Sequence, residues 1–194
     1  MINEEINDKL FTSIHKIEVK KSDVLHTVSQ LLTDICEESP QEIDHNTLRI
    51  IKPFISKKIP QISIEDFMKR LLKYSKMESS TLILILIYID RVCFFGKFQL
   101  NYYNIHKLIL ASMVVSIKYN EDDYFSNKFY AKVGGVTKEE LDKLEYEFLS
   151  LIDFSLFVDE DLFSRYYDYI KTFNSQNLID DEEENTTSID TVDK

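Results

Sequence analysis

Only three glycines and three prolines interrupt the 194 residues of this chain, and it has no tryptophan. Turns are therefore scarce, long helices are favoured, and the composition points to an all-α fold. The two cysteines, Cys36 and Cys93, lie in apolar helical contexts without a C-x-x-C or paired-ligand spacing. That excludes a disulfide framework or a zinc site and predicts buried thiols in a reducing compartment. The chain also lacks G-x-x-x-x-G-K, G-x-G-x-x-G, H-E-x-x-H and G-x-S-x-G. Phosphate cradles, zinc proteases and nucleophile elbows thus miss their minimal parts. The longest unbroken apolar run, Leu82 to Ile89, is far shorter than the roughly 20 residues a bilayer needs. The first 30 residues carry acids and no continuous apolar region, so no ordinary signal peptide is expected. Together these features predict a soluble, intracellular protein.

Basic residues are in deficit. Lys and Arg number 23 against 34 Asp and Glu, a net charge of −11. Residues 177–194 hold seven acids against Lys194 and so account for −6 of it. That stretch reads as a disordered, solvated tail. The remaining body is still acidic, which argues against sequence-independent binding of nucleic acid or an anionic membrane. Hydrophobic residues make up 44% of the chain, enough for one domain with a sizeable core.

Helical periodicity organises that core. Val24, Leu25, Val28, Leu31, Leu32 and Ile35 recur at spacings of three and four, the stripe of an amphipathic helix from about Ser22 to Cys36. Residues 37–47 read as a loop. Ser63 can cap a helix with Ile64, Phe67, Met68, Leu71 and Leu72 on one face. From about Ser79 to Phe94 apolar residues go all the way round, so this helix must be surrounded by neighbours. Another helix runs from about Asn104 to Tyr119. A shorter one near Asn127–Val133 is ended by Gly134-Gly135. Thr137 and Glu140 form a T-x-x-E capping box opening a helix with Leu141, Leu144, Phe148, Leu149 and Ile152 inward. A last helix contains Leu162, Phe163, Tyr166, Tyr167 and Ile170. His15, His26, His45 and His106 are scattered and read as surface or helix-end histidines, not ligands. Tyr124, Phe125, Phe129 and Tyr130 read as helix packing sooner than as a base-stacking platform.

Five segments, taken in order, carry a family signature: Ile59 to Phe67, Tyr88-Ile89-Asp90-Arg91, Asn104 to Leu108, Tyr124 to Val136, and Leu144-Glu145 through Phe148-Leu149 to Phe154. The chain resembles cyclins, and its second half resembles the P-type (phosphate-pathway, Pho80-like) branch. The resemblance implies a single five-helix cyclin box with flanking N- and C-terminal helices. Its expected divisions are an N-terminal extension at 1–21, an N-terminal helix and linker at 22–57, and the box at 58–158. A C-terminal helix at 159–176 and the acidic tail at 177–194 complete it.

The same resemblance implies a mechanism and a site. A cyclin packs the third and fifth box helices on the mobile C-helix of a cyclin-dependent kinase, so that the kinase Glu pairs with its ATP-positioning Lys. Lys118 and Glu145 match the family's polar interface residues, and Tyr119, Leu149 and Phe154 fall where an apolar groove would lie. From the residues alone, Lys118 and Glu145 are ordinary solvated charges, and Tyr119, Leu149 and Phe154 are equally readable as core. The expected role is regulatory, without catalytic residues, metal or cofactor. The expected partner is a cyclin-dependent kinase, with the chain a monomer or a heterodimer with that kinase, in the nucleus and/or cytoplasm. The alternative is a cyclin-fold interaction or transcription-adaptor module that has lost kinase activation. In the family, the Asp matching Asp90 often pairs with an Arg at the start of the first box helix. Here Gln61 stands there, which leaves the partner of Asp90 open. Ile64 and Phe67 replace the family's substrate-docking pattern and read as core.

Overall fold

Eight consecutive apolar residues with no polar face can be stable in a helix only if neighbours cover every side. The computed structural model, which describes residues 19–41 and 49–187, meets that requirement. Its helices, in order, are α1 (Lys21–Glu38), α2 (Ile64–Tyr74), α3 (Ser79–Gly96), α4 (Ile105–Asn120), α5 (Asn127–Gly134), α6 (Lys138–Leu151) and α7 (Glu160–Thr187). A 3-10 turn at Lys52–Phe54 precedes α2. Among the described residues there is no strand, and the fold is all-α.

Helix α3 packs against α1, α4, α6 and α7, and Leu82 to Ile89 are all buried. Its length and apolarity match those of a membrane-crossing helix, but 67% of it is covered inside the protein. Helix α4 shares the centre. It packs on α2, α3, α5 and α6, and every residue from Ile105 to Ile117 except Lys107 is buried. Each such Leu or Ile contributes roughly 1.5–3 kcal/mol of burial. The buried Ser112 hydroxyl, which donates to the Ile85 carbonyl at 3.0 Å, keys the two helices together.

The ends follow local chemistry. Ser63 Oγ accepts the Asp66 N–H at 3.0 Å, and Thr137 Oγ1 accepts the Glu140 N–H at 3.1 Å. Only half of the expected Thr137–Glu140 box forms, because the Glu140 carboxylate pairs with Lys107 at 2.8 Å. The Lys107 ammonium also donates to the Pro53 and Ile55 carbonyls, so it binds the 3-10 turn to α6. Gly135, at φ +74°, ends α5, as only a residue free of Cβ crowding does cheaply.

Three expectations change. Ile35, placed on the buried stripe of α1, is 43% exposed, because it borders a cavity of about 900 Å³ between α1, α3 and α7. His106 is a core residue, not a surface one. Its Nε2 lies 3.0 Å from the Ile62 carbonyl, its ring packs edge-on against Phe67, and burial lowers its pKa. Helix α7 passes the boundary expected at 176 and runs to Thr187. Its sequence has neither Gly nor Pro, and Glu propagates helix well, so acidity alone does not stop it. Residues 188–194 of the expected tail, residues 1–18 of the extension, His15 and His45 lie outside the described residues. Ile64 and Phe67 are buried core, as read. Of the aromatic cluster, Phe125, Phe129 and Tyr130 pack on one another, with Phe125 and Phe129 centroids 4.4 Å apart and the Tyr130 hydroxyl accepting the Phe125 N–H, whereas Tyr124 is exposed.

Candidate functional site

Lys118 lies in the last turn of α4, where the apolar pattern that buries Ile117 turns the next residue outward. Helix α6, set in register by its Thr137 cap and its buried Leu141, Leu144 and Phe148, presents Glu145 on the adjoining face. The two side chains meet. Lys118 Nζ donates to both carboxylate oxygens of Glu145, at 2.6 and 2.8 Å. Both are sheltered but not sealed, with side-chain exposures of 29% and 16%.

This pair keeps unused valence. An ammonium has three protons, of which Glu145 takes two. The carboxylate has about four acceptor positions. Two are filled by Lys118, and one at Oε2 by the Asn127 amide at 2.7 Å. One Lys118 proton and one lone pair on Glu145 Oε1 are left over.

Aromatic surface lies beside it in sequence. Tyr119 is 53% exposed and Phe154 is 59% exposed, so both leave the core, while Leu149 is half-buried and packs against it. Phe154 belongs to a loop after α6 in which Asp153 and Phe154 take φ of +50° and +55°. Such left-handed angles cost a residue with a Cβ roughly 1–2 kcal/mol each. Hydrogen bonds hold them in place: Phe154 N–H donates to the Leu149 carbonyl at 2.8 Å, and Tyr88 OH donates to Leu156 at 2.8 Å. The Arg91 guanidinium donates to the Ser155 and Phe157 carbonyls. The Tyr88–Arg91 motif therefore anchors the loop that displays Phe154. The partner left open for Asp90 is Tyr166 of α7, whose hydroxyl donates to it at 2.8 Å.

The α1–α3–α7 cavity contains none of Lys118, Tyr119, Glu145, Leu149 and Phe154. Its polar lining includes Asp34, Glu38, Asp90, Arg165 and Tyr166. Cys36 and Cys93 are free thiols, and burial pushes both pKa values up to about 12. Among the described residues no group of three His, Cys, Asp or Glu is placed to hold a metal. Asn127 had no assigned role in the sequence. The spacing of Asp142 and Glu145 by three on one helix was the available signal, since two carboxylates on one face call for a donor between them.

A family model described as Cyclin matches residues 9–156. "PHO85 cyclin-7" of Saccharomyces cerevisiae is 29% identical over 159 residues, 76% of this chain and 56% of that protein. "Cyclin-U2-1" of Arabidopsis thaliana is 35% identical over 114 residues, covering 58% and 51% of the two chains. "Cyclin-P3-1" of Oryza sativa subsp. japonica is 35% identical over 113 residues, covering 58% and 48%. The chain spans about half the length of the curated relatives it matches. The all-α bundle, the ordered motifs and a family match across most of the sequence agree: this chain belongs to the cyclin family, with P-type and PHO85 cyclins among its relatives.

Proposed function

We propose that the chain is a regulatory subunit, not an enzyme, that binds and activates a cyclin-dependent kinase by docking α4 and α6 on its C-helix. The observation that carries the proposal is the Lys118–Glu145 pair between α4 and α6, with one donor and one acceptor left over; Tyr119, next to Lys118 in the chain, and Phe154, in the loop after α6, are exposed. Backbone groups at the edge of a kinase helix would take those two valences, and apolar side chains of that helix would cover the aromatic rings and Leu149. The chain acts as a differential ligand. To turn a kinase from 1% to 99% active it must prefer the active form about 10⁴-fold, or about 5.5 kcal/mol. The naming of a relative as a PHO85 cyclin favours a kinase of that kind as partner. Free thiols in the core favour action inside the cell, in nucleus and/or cytoplasm.

The test is co-expression with candidate cyclin-dependent kinases, co-purification, and phosphorylation of a histone-type peptide with and without the chain. The wild type is expected to co-purify and stimulate, and Lys118→Glu or Glu145→Lys to abolish association while the chain still unfolds cooperatively. If both reversals bind as the wild type does, the interface lies elsewhere. A folded wild type that captures no kinase selects the adaptor reading.

A further inference from the structure

The first residue of α5 reaches into the Lys118–Glu145 pair. Asn127 Nδ2 lies 2.7 Å from Asp142 Oδ1 and 2.7 Å from Glu145 Oε2, so one amide bridges two carboxylates of α6. Asp142 in turn pairs with Lys138, one turn earlier on the same helix. A continuous chain runs Lys138, Asp142, Asn127, Glu145, Lys118. It links three helices through side chains alone.

Chemistry dictates how the amide is turned. Rotated by half a turn, it would set its oxygen against two carboxylates at 2.7 Å, which is repulsive. In the orientation adopted, both protons are used, and Asn127 Oδ1 is buried without a partner. An unsatisfied buried acceptor carries a desolvation cost, which hydrogen bonds to charged groups offset. Helix capping does not explain the residue. Ser126 occupies the cap position with extended backbone angles, and the Asn127 amide points across to α6, not back to the free N–H groups of its own helix.

The bridge solves an electrostatic problem. Asp142 and Glu145, three apart, share a helix face and repel. With Asn127 between them each carboxylate has its own donor, and Glu145 stays turned toward Lys118. The charged groups facing Asn127 are Asp142, Glu145 and Lys138 of α6 and Lys118 of α4. Arg70 of α2 lies by Gly135, at the far end of α5. Asp142 is held below the usual carboxylate range, first by Lys138 and then by Asn127.

We infer that Asn127 is the positioning residue of the interface: its amide fixes the Glu145 carboxylate so that Lys118 and Glu145 keep one donor and one acceptor directed at a partner. The inference rests on the kinase-binding reading for its consequence, but the bridge itself is testable in the chain alone.

Two arms separate these. In the full-length chain, the Asn127 side-chain amide protons, observed by nitrogen-edited NMR, are expected to be shifted downfield and slow to exchange. Glu145→Gln should move them and Lys143→Met, two residues from Glu145, should not. Asn127 protons that ignore Glu145→Gln overturn the inference whatever the kinase does. In the complex, affinity is measured from pH 7.5 to 5.5. Asn127→Ala should weaken binding about tenfold, the loss of one hydrogen bond to a charged group. Asn127→Asp sets a third carboxylate in the cluster and should weaken it further at pH 7.5. Like charges raise carboxyl pKa values, so protonation toward pH 5.5 returns a donor and should recover about tenfold relative to the wild type at the same pH. A merely structural residue would lower the melting temperature and leave both pH profiles parallel, and that result overturns the inference. If the wild type binds no kinase, the kinase reading fails, and the NMR arm alone decides the bridge.

Discussion

Gly134 decides how near α5 comes to α4, and one substitution pair tests that contact by a change of sign. A Cβ built on Gly134 would stand 2.4 and 2.7 Å from the two terminal carbons of Leu110, and 3.1 Å from its Cγ. Leu110 is only 1% exposed, so its side chain has no free space to swing into. Gly134→Ala gains at most about 1 kcal/mol of helix propensity. Overpacking of this kind costs roughly 1–3 kcal/mol. The net expectation is a loss of about 1 kcal/mol. Leu110→Ala alone should cost roughly 2–5 kcal/mol, because it empties a closed site. In that background the new methyl group enters vacated space, so Gly134→Ala should stabilise by about 1–2 kcal/mol, the propensity plus one buried carbon. Urea unfolding followed by far-ultraviolet circular dichroism reads all four proteins, with midpoints compared at unchanged slope. Equal effects of Gly134→Ala in both backgrounds, within about 0.5 kcal/mol, would show that the two residues do not touch and would refute the packing of α5 on α4. The site depends on that packing, since α5 carries Asn127 to Glu145.

Stability should fall in alkali, in two stages. Burial raises the Cys36 and Cys93 thiols from 9.0 to about 12 and the Tyr88 phenol from 10.0 to about 12, so the folded chain holds protons that the unfolded chain releases. The stability is present in full below pH 9, declines above it as the unfolded thiols ionise, declines more steeply above pH 10 as tyrosine joins, and is lost through about 12. Melting temperatures against pH should show this slope, and a Cys36→Ala, Cys93→Ala double variant should remove the part between 9 and 10; an unchanged slope there would contradict the burial. Thr137→Ala should cost about 1 kcal/mol through loss of the α6 cap. Chemical denaturation checks this, and a change under about 0.3 kcal/mol would mean that the Glu140–Lys107 pair holds the helix start by itself.

Much of the helical layout was legible because its signals are local. The Thr137 and Ser63 caps, the Gly134-Gly135 stop and the all-round apolar stretch of α3 each act within a turn or two of the chain, where sequence distance and spatial distance agree. The site was legible only in part. Lys118 and Glu145 were assigned through family motifs, whereas Asn127, inside one of those motifs, was assigned no role, since its only signal was the spacing of two carboxylates on a different helix. Ile35 and His106 were misplaced for a related reason. An apolar stripe shows which face seeks cover but not how far the neighbour extends, and a lone histidine does not reveal the Ile62 carbonyl that satisfies it.

The sequence by itself determined the all-α class, most helix starts and stops, and the cyclin kinship, because periodicity, capping residues and motif order are properties of neighbouring positions. Only the tertiary structure decided which polar groups meet. Lys118 and Glu145 are 27 residues apart, Asp90 and Tyr166 are 76 apart, and Asn127 reaches Glu145 from another helix. Those meetings depend on where helices cross, and crossing is set by side-chain volumes such as the missing Cβ of Gly134 against Leu110.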